Sequence, residues 1–455
     1  MIKRFSLVLI IIFGLASFTI QASSNIDLGD LGLQNSLSSI IEGSATSDGT
    51  FSLALTPEIT IGSFAIQFNL KIKGTYETDP IDLNFDFSGW APPAKEEGQT
   101  NGAYITSVLK QYSSFVQYAQ LGQRYDKLYL KYGKLSGITI GDGALINGFF
   151  DTSVSIRTAK PGLDIMIDGT LLGIPYAGFE FLTNDAFDPT LLAWRVYSRP
   201  FYTYYKQGFL SEIETGISYA ENPTSTYIAA SSEADDLVSE NRKLISIDFG
   251  LPLLSRDALK MVFFTDVLFQ SPDSLVSQPG IATRYGVWGH WKSLFIFNTS
   301  ITVPHSGVYY ADYFDSGFEE KTYAELSDSI VALGTERIDA QLAINFASKG
   351  AYFSARLRSD YSEGTYSNYR FYANARIDKR LFNIVSLDLS YEKLYPTSTG
   401  EGFFAGLVTL RNVEILATSV INIKPYAFDV GLKMVFDGEA SYTLQVETAV
   451  RISIL

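Results

Sequence analysis

Hydrophobic and polar positions alternate over the last fifteen residues, 441–455. Tyr442, Leu444, Val446, Val450, Ile452 and Ile454 are apolar. Ser441, Thr443, Gln445, Glu447, Arg451 and Ser453 are polar, and Thr448 and Ala449 interrupt the rhythm. A period of two gives a strand one apolar and one wet face. The run exceeds the about 5–6 residues of an ordinary strand and suits a tilted bilayer-crossing strand of about 9–11 residues plus overhang. The same alternation begins at Phe64, Ile66, Phe68, Leu70 and Ile72 and continues at Ile81, Leu83, Phe85 and Phe87. Residues 75–80 join these runs as a hairpin connection. It resumes at Leu128, Leu130 and Tyr132, and less regularly over 163–168, 176–181, 191–198 and 213–219. Further strands are expected at 244–251, 259–268, 281–289, 293–303, 336–347, 351–361, 369–378, 383–393, 403–411, 413–422, 426–436 and 441–455. The short connections 348–350 and 437–440 carry glycine, as hairpin turns do.

Three stretches break the pattern. Residues 91–124 start at Pro92-Pro93, pass through a polar loop, and then place Ile105, Val108, Leu109, Tyr112 and Val116 at helical spacings of three and four. This predicts one short helix that plugs a lumen, caps a rim or sits in an outer loop. Residues 140–144 read as a tight glycine turn; Asp142 lies between glycines but lacks the spaced partners of a calcium loop. Residues 199–205 are an aromatic cluster, either an interfacial belt or a stacking surface for sugar rings. The longest gap in the second half is 304–335.

Composition narrows the class. Charged residues make up 18% and aromatics 14%, with 28 Tyr and 32 Phe against 4 Trp and 2 His. Mean hydropathy is +0.08, as expected when every strand is half apolar and half polar. Only the N-terminus approaches an apolar helical span. There, Lys3 and Arg4 precede an apolar core, so residues 1–22 read as a cleaved secretory signal peptide. Residues 23–50 then form a periplasmic lead-in, and 51–455 the main body. With no cysteine, disulfides, thiol catalysis and thiolate metal sites are excluded. A net charge of −14 argues against a nucleic-acid backbone as partner.

A signal peptide at one end and an amphipathic strand at the other resemble a bacterial outer-membrane β-barrel, porin-like at the level of the class. The resemblance implies an all-β fold: a single transmembrane antiparallel β-barrel of 16–20 strands with one short helix in a loop or plug. It implies outer-membrane lipid as surroundings and recognition of strand 441–455 by the barrel-insertion machinery. A homo-oligomer would be in keeping with it. Such chains usually end in an aromatic residue, whereas this one ends in Leu455. Counting back from a periplasmic C-terminus puts the connections 394–402, 362–368 and 304–335 on the periplasmic side. Barrels place their long loops outside, so the conflict locates an extra or missing strand near 403–436.

No catalytic constellation is visible, and neither a cofactor nor a metal is expected. His290 lies among tryptophans and His305 at the mouth of a loop. The informative charges are Arg356 and Arg358 on one expected strand and Arg370 and Arg376 on the next, all on the wet face. The loop 304–335 carries Asp312, Asp315, Glu319 and Glu320. Folded inward, it would oppose acid to a basic wall and form a pore constriction with a transverse field. Alternatively, both sets are solvated, or pair and stiffen the wall. The sequence thus suggests a non-enzymatic, porin-like channel for passive diffusion of small hydrophilic solutes. The alternative is a surface-exposed structural, adhesin or receptor barrel with a plugged lumen.

Overall fold

The computed structural model describes residues 35–38, 41–45 and 50–452, except 79–80, 123, 125, 151–159, 206–207, 224, 229–236, 257, 273–277, 293, 311–313, 315–329, 347–350, 378–383, 395–405, 408, 424–425 and 438–440. The expected signal peptide therefore lies outside the described residues, as does most of the lead-in. The chain forms two compact units. The smaller comprises residues up to 121 with 420–429 and 448–455, and the larger comprises 122–419 and 430–447.

The smaller unit contains β1 (Asn35–Ser38), β2 (Ile41–Ala45), β3 (Thr50–Leu55), β4 (Glu58–Ile61), β5 (Phe64–Phe68), β6 (Leu70–Thr78), β7 (Ile81–Asp86), helix α1 (Asn101–Ser113) and β8 (Val116–Leu121). β1 pairs with β4, β4 with β5, and β5 with β8, all antiparallel. β2, β3, β6 and β7 form a separate four-stranded sheet. The expected first arm 64–73 is thus two strands. Buried Asn69 separates them, its amide donating to the Phe115 carbonyl at 2.7 Å. Thr78 pairs with Ile81, so the β6–β7 turn is tighter than the expected 75–80 connection. The helix forms over Ile105, Val108, Leu109 and Tyr112 as the three-four spacing predicts, but it ends at Ser113, and Val116 opens β8 instead. Thr100 caps it, its Oγ1 accepting from the Ala103 amide at 3.2 Å.

The larger unit is a long antiparallel meander. Its wall strands are β9 (Leu128–Gly133), β12 (Gly162–Asp168), β13 (Ala177–Thr183), β14 (Leu192–Ser198), β15 (Glu214–Glu221), β18 (Lys243–Arg256), β19 (Leu259–Gln270), β20 (Gly280–Trp291), β21 (Phe295–Ser306), β24 (Glu336–Phe346), β25 (Ala351–Ser362), β26 (Thr365–Ile377) and β27 (Val385–Leu394). The hydrogen-bonded order continues through β28 (Val413–Ile423), β29 (Tyr426–Asp437) and β30 (Ser441–Ile452), giving sixteen strands in one row. Short pairs decorate its connections: β10 (Ser136–Ile138) with β11 (Phe149–Phe150), β16 (Ser225–Ile228) with β17 (Leu237–Glu240), and β22 (Val308–Tyr310) with β23 (Ile330–Ala332).

The two faces of this sheet differ in kind. One cross-strand row runs Phe179–Val196–Ile217–Ile247–Val267. Within it Ile217 is 50% exposed and Ile247 45% exposed. On the opposite face a row runs Asp248–Asp266–Arg284–Thr302–Arg337–Asp360. All six are buried. Hydrocarbon outside and charge inside is the reverse of a soluble protein's arrangement.

The expected strand 403–411 is absent among the described residues: 406–407 are helical and 409–412 run through a bend and turn. Segment 406–412 is instead pinned beside β27, where Tyr391 donates to the Leu407 carbonyl and Lys393 donates to the Thr409 and Arg411 carbonyls. The expected long connection 362–368 is a two-residue turn. Ser362 pairs with Thr365, and Glu363 and Gly364 take φ of 50° and 83°, a left-handed pair suited to a hairpin. With these corrections the connections 134–161, 222–242, 307–335 and 395–412, the four longest between wall strands of the larger unit, all leave from the same end of its sheet.

Glycine is required where Gly178 pairs directly with Tyr197. A Cβ there would meet the ring at 2.2 Å. Replacing Gly178→Ala is expected to lower stability by about 1–3 kcal/mol, and adding Tyr197→Leu to restore most of the loss. Urea titration of the refolded variants measures both.

Candidate functional site

The inner face is built from pairs that the register dictates. Glu180 lies opposite Arg195, and Arg195 also donates to Glu214 at 2.9 Å and to Asp248 at 2.7 and 3.1 Å. Arg124 extends this group, donating to Asp164 at 2.5 Å and Glu180 at 3.2 Å. Asp266 lies opposite Arg284, whose Nη1 donates to it at 3.3 Å. Across β12–β20 this arc holds more carboxylates than guanidiniums.

On β24–β26 the balance reverses. Arg337 grips Asp360 through two bonds of 2.6 and 2.9 Å. Arg356 grips Asp339, with contacts down to 2.5 Å, and Arg358 reaches the same carboxylate at 3.4 Å. Arg370 lies opposite Arg358 and is also buried. Alternation along β25 keeps Asp360 on the same face as Arg358, and the extra residue of the bulge lies on the facing β26, between Ser367 and Arg370. Arg376 pairs with Asp388 at 2.9 Å near solvent, with 55% of its side chain exposed. The four arginines singled out from sequence thus share one face of two adjacent strands, and the contacts of Arg356, Arg358 and Arg376 include carboxylates of that face. Asp312, Asp315, Glu319 and Glu320 lie outside the described residues.

The element over the inner face is 134–150, of which the sequence pattern predicts only the tight turn 140–144. Leu135, Ile138, Ile140, Leu145, Ile146 and Phe149 are buried together with Leu182, Leu191, Ala193, Ala220, Leu244, Leu268 and Ala282 of the wall, and with Tyr309, Phe314 and Val331. The described part of the 304–335 loop therefore contributes apolar side chains to this cluster. Polar ties add to it: Arg284 donates to Asp142 at 3.2 Å, and Arg356 donates to the Asn147 carbonyl at 3.4 Å. Gly141, at φ 58°, lies where a Cβ would come within 2.8 Å of the Arg195 Nε. A polar recess is left beside the segment, lined by Gly143, Ala144, Arg284, Arg337, Asp339 and Arg356. The sequence signal for the inward fold was the apolar density of Leu135, Ile138, Ile140, Leu145, Ile146 and Phe149, too high for a solvated loop.

His305 shares a 2.6 Å hydrogen bond with Thr283 Oγ1, and Ser306 Oγ donates to the Pro279 carbonyl at 3.4 Å. These two neighbours face different partners, not each other. Among the described residues, no group of three or more His, Asp or Glu side chains is arranged to hold a metal ion.

No family model matches the chain, and no curated relative does either. Solved structures similar to it include OpdK of Pseudomonas aeruginosa with vanillate, at 9% identity, over 92% of this chain and 96% of that one, with a TM-score of 0.31. CdiB from Escherichia coli matches at 9% identity over 74% and 64%, with a TM-score of 0.37. Wzi, an outer-membrane protein involved in group 1 capsule assembly in Escherichia coli and a carbohydrate-binding β-barrel, matches at 9% over 94% and 85%, with a TM-score of 0.29. All three scores lie below the range in which a likeness establishes a shared fold.

Removing one member of a buried charge group leaves the others without an answer. Arg195→Met is expected to cost about 3–5 kcal/mol because Glu180 and Asp248 stay buried. Adding Glu180→Gln and Asp248→Asn should recover part of it, read as urea midpoints of the single and triple variants.

Proposed function

We propose that the chain is a porin-like channel of the bacterial outer membrane, passing small hydrophilic solutes by diffusion along the charged inner face. One observation carries the reading: in the larger unit the exposed face is hydrocarbon, and the buried face carries cross-strand rows of charge. A sheet of that kind suits a surrounding of lipid. The gathering of that unit's four longest wall connections at one end supports it, since outer-membrane barrels carry long loops outside and short turns inside. The end with the long connections is then the extracellular one. On the same reading the sheet closes into a transmembrane barrel, and Arg356, Arg358, Arg370 and Arg376 line its pore, with Asp312, Asp315, Glu319 and Glu320 on a loop of the extracellular end. Small solutes and outer-membrane lipid are its partners, and it works without a cofactor and without catalysis.

Segment 134–150 and its apolar cluster favour a second reading, a structural or receptor barrel whose lumen is closed. Planar-bilayer recording separates the two. Steady ohmic steps are the expected result; silence from folded protein would support the closed barrel. In the channel, neutralising Arg356, Arg358, Arg370 and Arg376 together should move the reversal potential towards cation selectivity, and an unmoved potential would remove them from the path.

The lipid-facing assignment has its own check. Ile247→Arg is expected to cost about 2–4 kcal/mol if the residue lies near the bilayer midplane. The measurement is urea-dependent folding into vesicles, with Ser246→Arg as the comparison on the other face.

A further inference from the structure

One cluster of titratable groups beneath segment 134–150 is short of positive charge. Asp142 is faced by Arg284 and Asp266, and also by Asp248 and Arg195. Arg195 is already engaged by Glu180, Glu214 and Asp248. Arg284 therefore stands against two carboxylates, with Nη1 3.2 Å from Asp142 Oδ1 and 3.3 Å from Asp266 Oδ2. It also donates to Ser300 Oγ at 3.2 Å. The Asp266 side chain is fully buried, and its Oδ1 has no hydrogen-bond partner among the described groups. An ionised carboxylate oxygen buried in that state is costly. The Asp142 and Asp266 carboxyls thus meet at one nitrogen, Arg284 Nη1. One guanidinium balances one of two buried negative charges, and a proton on either carboxyl removes the other.

We propose that Asp142 and Asp266 share one proton beside Arg284, and that this proton latches the 140–144 turn onto the inner face, so that raising the pH releases the turn. Burial pushes the Asp142 carboxyl above its usual range and Asp248 adds to the rise, while Arg284 and Arg195 oppose it. The sign follows from linkage. A group whose affinity for its proton is raised in the latched state stabilises that state at low pH, and the contribution is lost as pH rises through the latched value. With the proton gone, two carboxylates repel across a single guanidinium. The turn carries left-handed glycines at Gly141 and Gly143, which let it hinge, while Ile138, Leu145, Ile146 and Phe149 stay packed in the apolar cluster. Gly143 and Ala144 line the polar recess beside Arg284, Arg337 and Arg356, so release widens that recess. The latch extends the channel reading, but the motion itself does not depend on that reading.

The chain contains no cysteine, so Ala144→Cys gives a single site for a nitroxide label on the full-length protein in lipid vesicles. Folding of each variant is checked by heat-modifiable gel mobility. Between about pH 5 and about pH 10, the ratio of mobile to immobile label should rise by about tenfold per pH unit above its onset, as for loss of one proton. Asp266→Asn should abolish the rise and leave the label immobile, because a single carboxylate then faces Arg284 at every pH; Asp142→Asn should behave alike. Equal mobility at both ends of the range would overturn the latch. So would an unchanged rise in folded Asp266→Asn. Bilayer recordings on the same preparations separate this inference from the channel: a rise in mobility with no conductance keeps the latch and removes the channel. Conductance without any rise keeps the channel and removes the latch.

Discussion

A charge buried on one face of a strand has to be answered from the adjacent strand or from something laid over it. The pleat sends neighbours along the chain to the opposite side. In the larger unit this constraint organises everything else. The row Asp248–Asp266–Arg284–Thr302–Arg337–Asp360 crosses six strands in register, and a slip of one residue on any strand would bring hydrocarbon into that row and carry its charge to the outer face. The same register leaves Ile217, Ile247 and Val267 on the outside. Outer hydrocarbon and inner charge are thus two consequences of one alignment.

Buried ion pairs contribute little net stability compared with well-packed hydrocarbon, but they penalise misalignment heavily. Here they make the wall's register specific, and the apolar cluster under 134–150 supplies packing that a charged inner face lacks. The uneven division of charge also matters. Carboxylates are in excess on β12–β20 and guanidiniums on β24–β26, and 134–150 bonds to both arcs through Asp142 and the Asn147 carbonyl. A solute moving along this face would meet regions of opposite sign beside a segment held by a few polar contacts.

Strand positions, their faces and α1 were legible because period-two and period-3.6 patterns are direct images of the backbone. Phe353, Ala355 and Leu357 against Ser354, Arg356 and Arg358 is such an image. What failed was the reading of connections. Residues 403–411 contain enough apolar side chains to resemble a strand, yet their neighbours Tyr391 and Lys393 hold their carbonyls in side-chain hydrogen bonds, an arrangement made by tertiary contacts alone. The turn at Glu363–Gly364 was overestimated because Tyr366 and Ser367 are as polar as a loop, although they pair with Tyr361 and Asp360. Segment 134–150 showed its glycines but not its destination. Only the fold shows that Asp142 meets Arg284, residues separated by 142 positions. The arginine face was visible in the sequence, whereas its partners Asp339 and Asp388 required the register.

Which side of the sheet meets lipid decides whether the wall is embedded in a membrane. Single nitroxide labels at Ser246 and Ile247, in vesicles, would be exposed in turn to oxygen, which concentrates in the bilayer, and to a water-soluble nickel chelate. Oxygen should relax the label at Ile247 and the nickel complex should not, while the label at Ser246 should lose that preference for oxygen. Collisions with nickel at Ile247 as frequent as those of a label free in water would contradict the assignment of the hydrocarbon face to lipid.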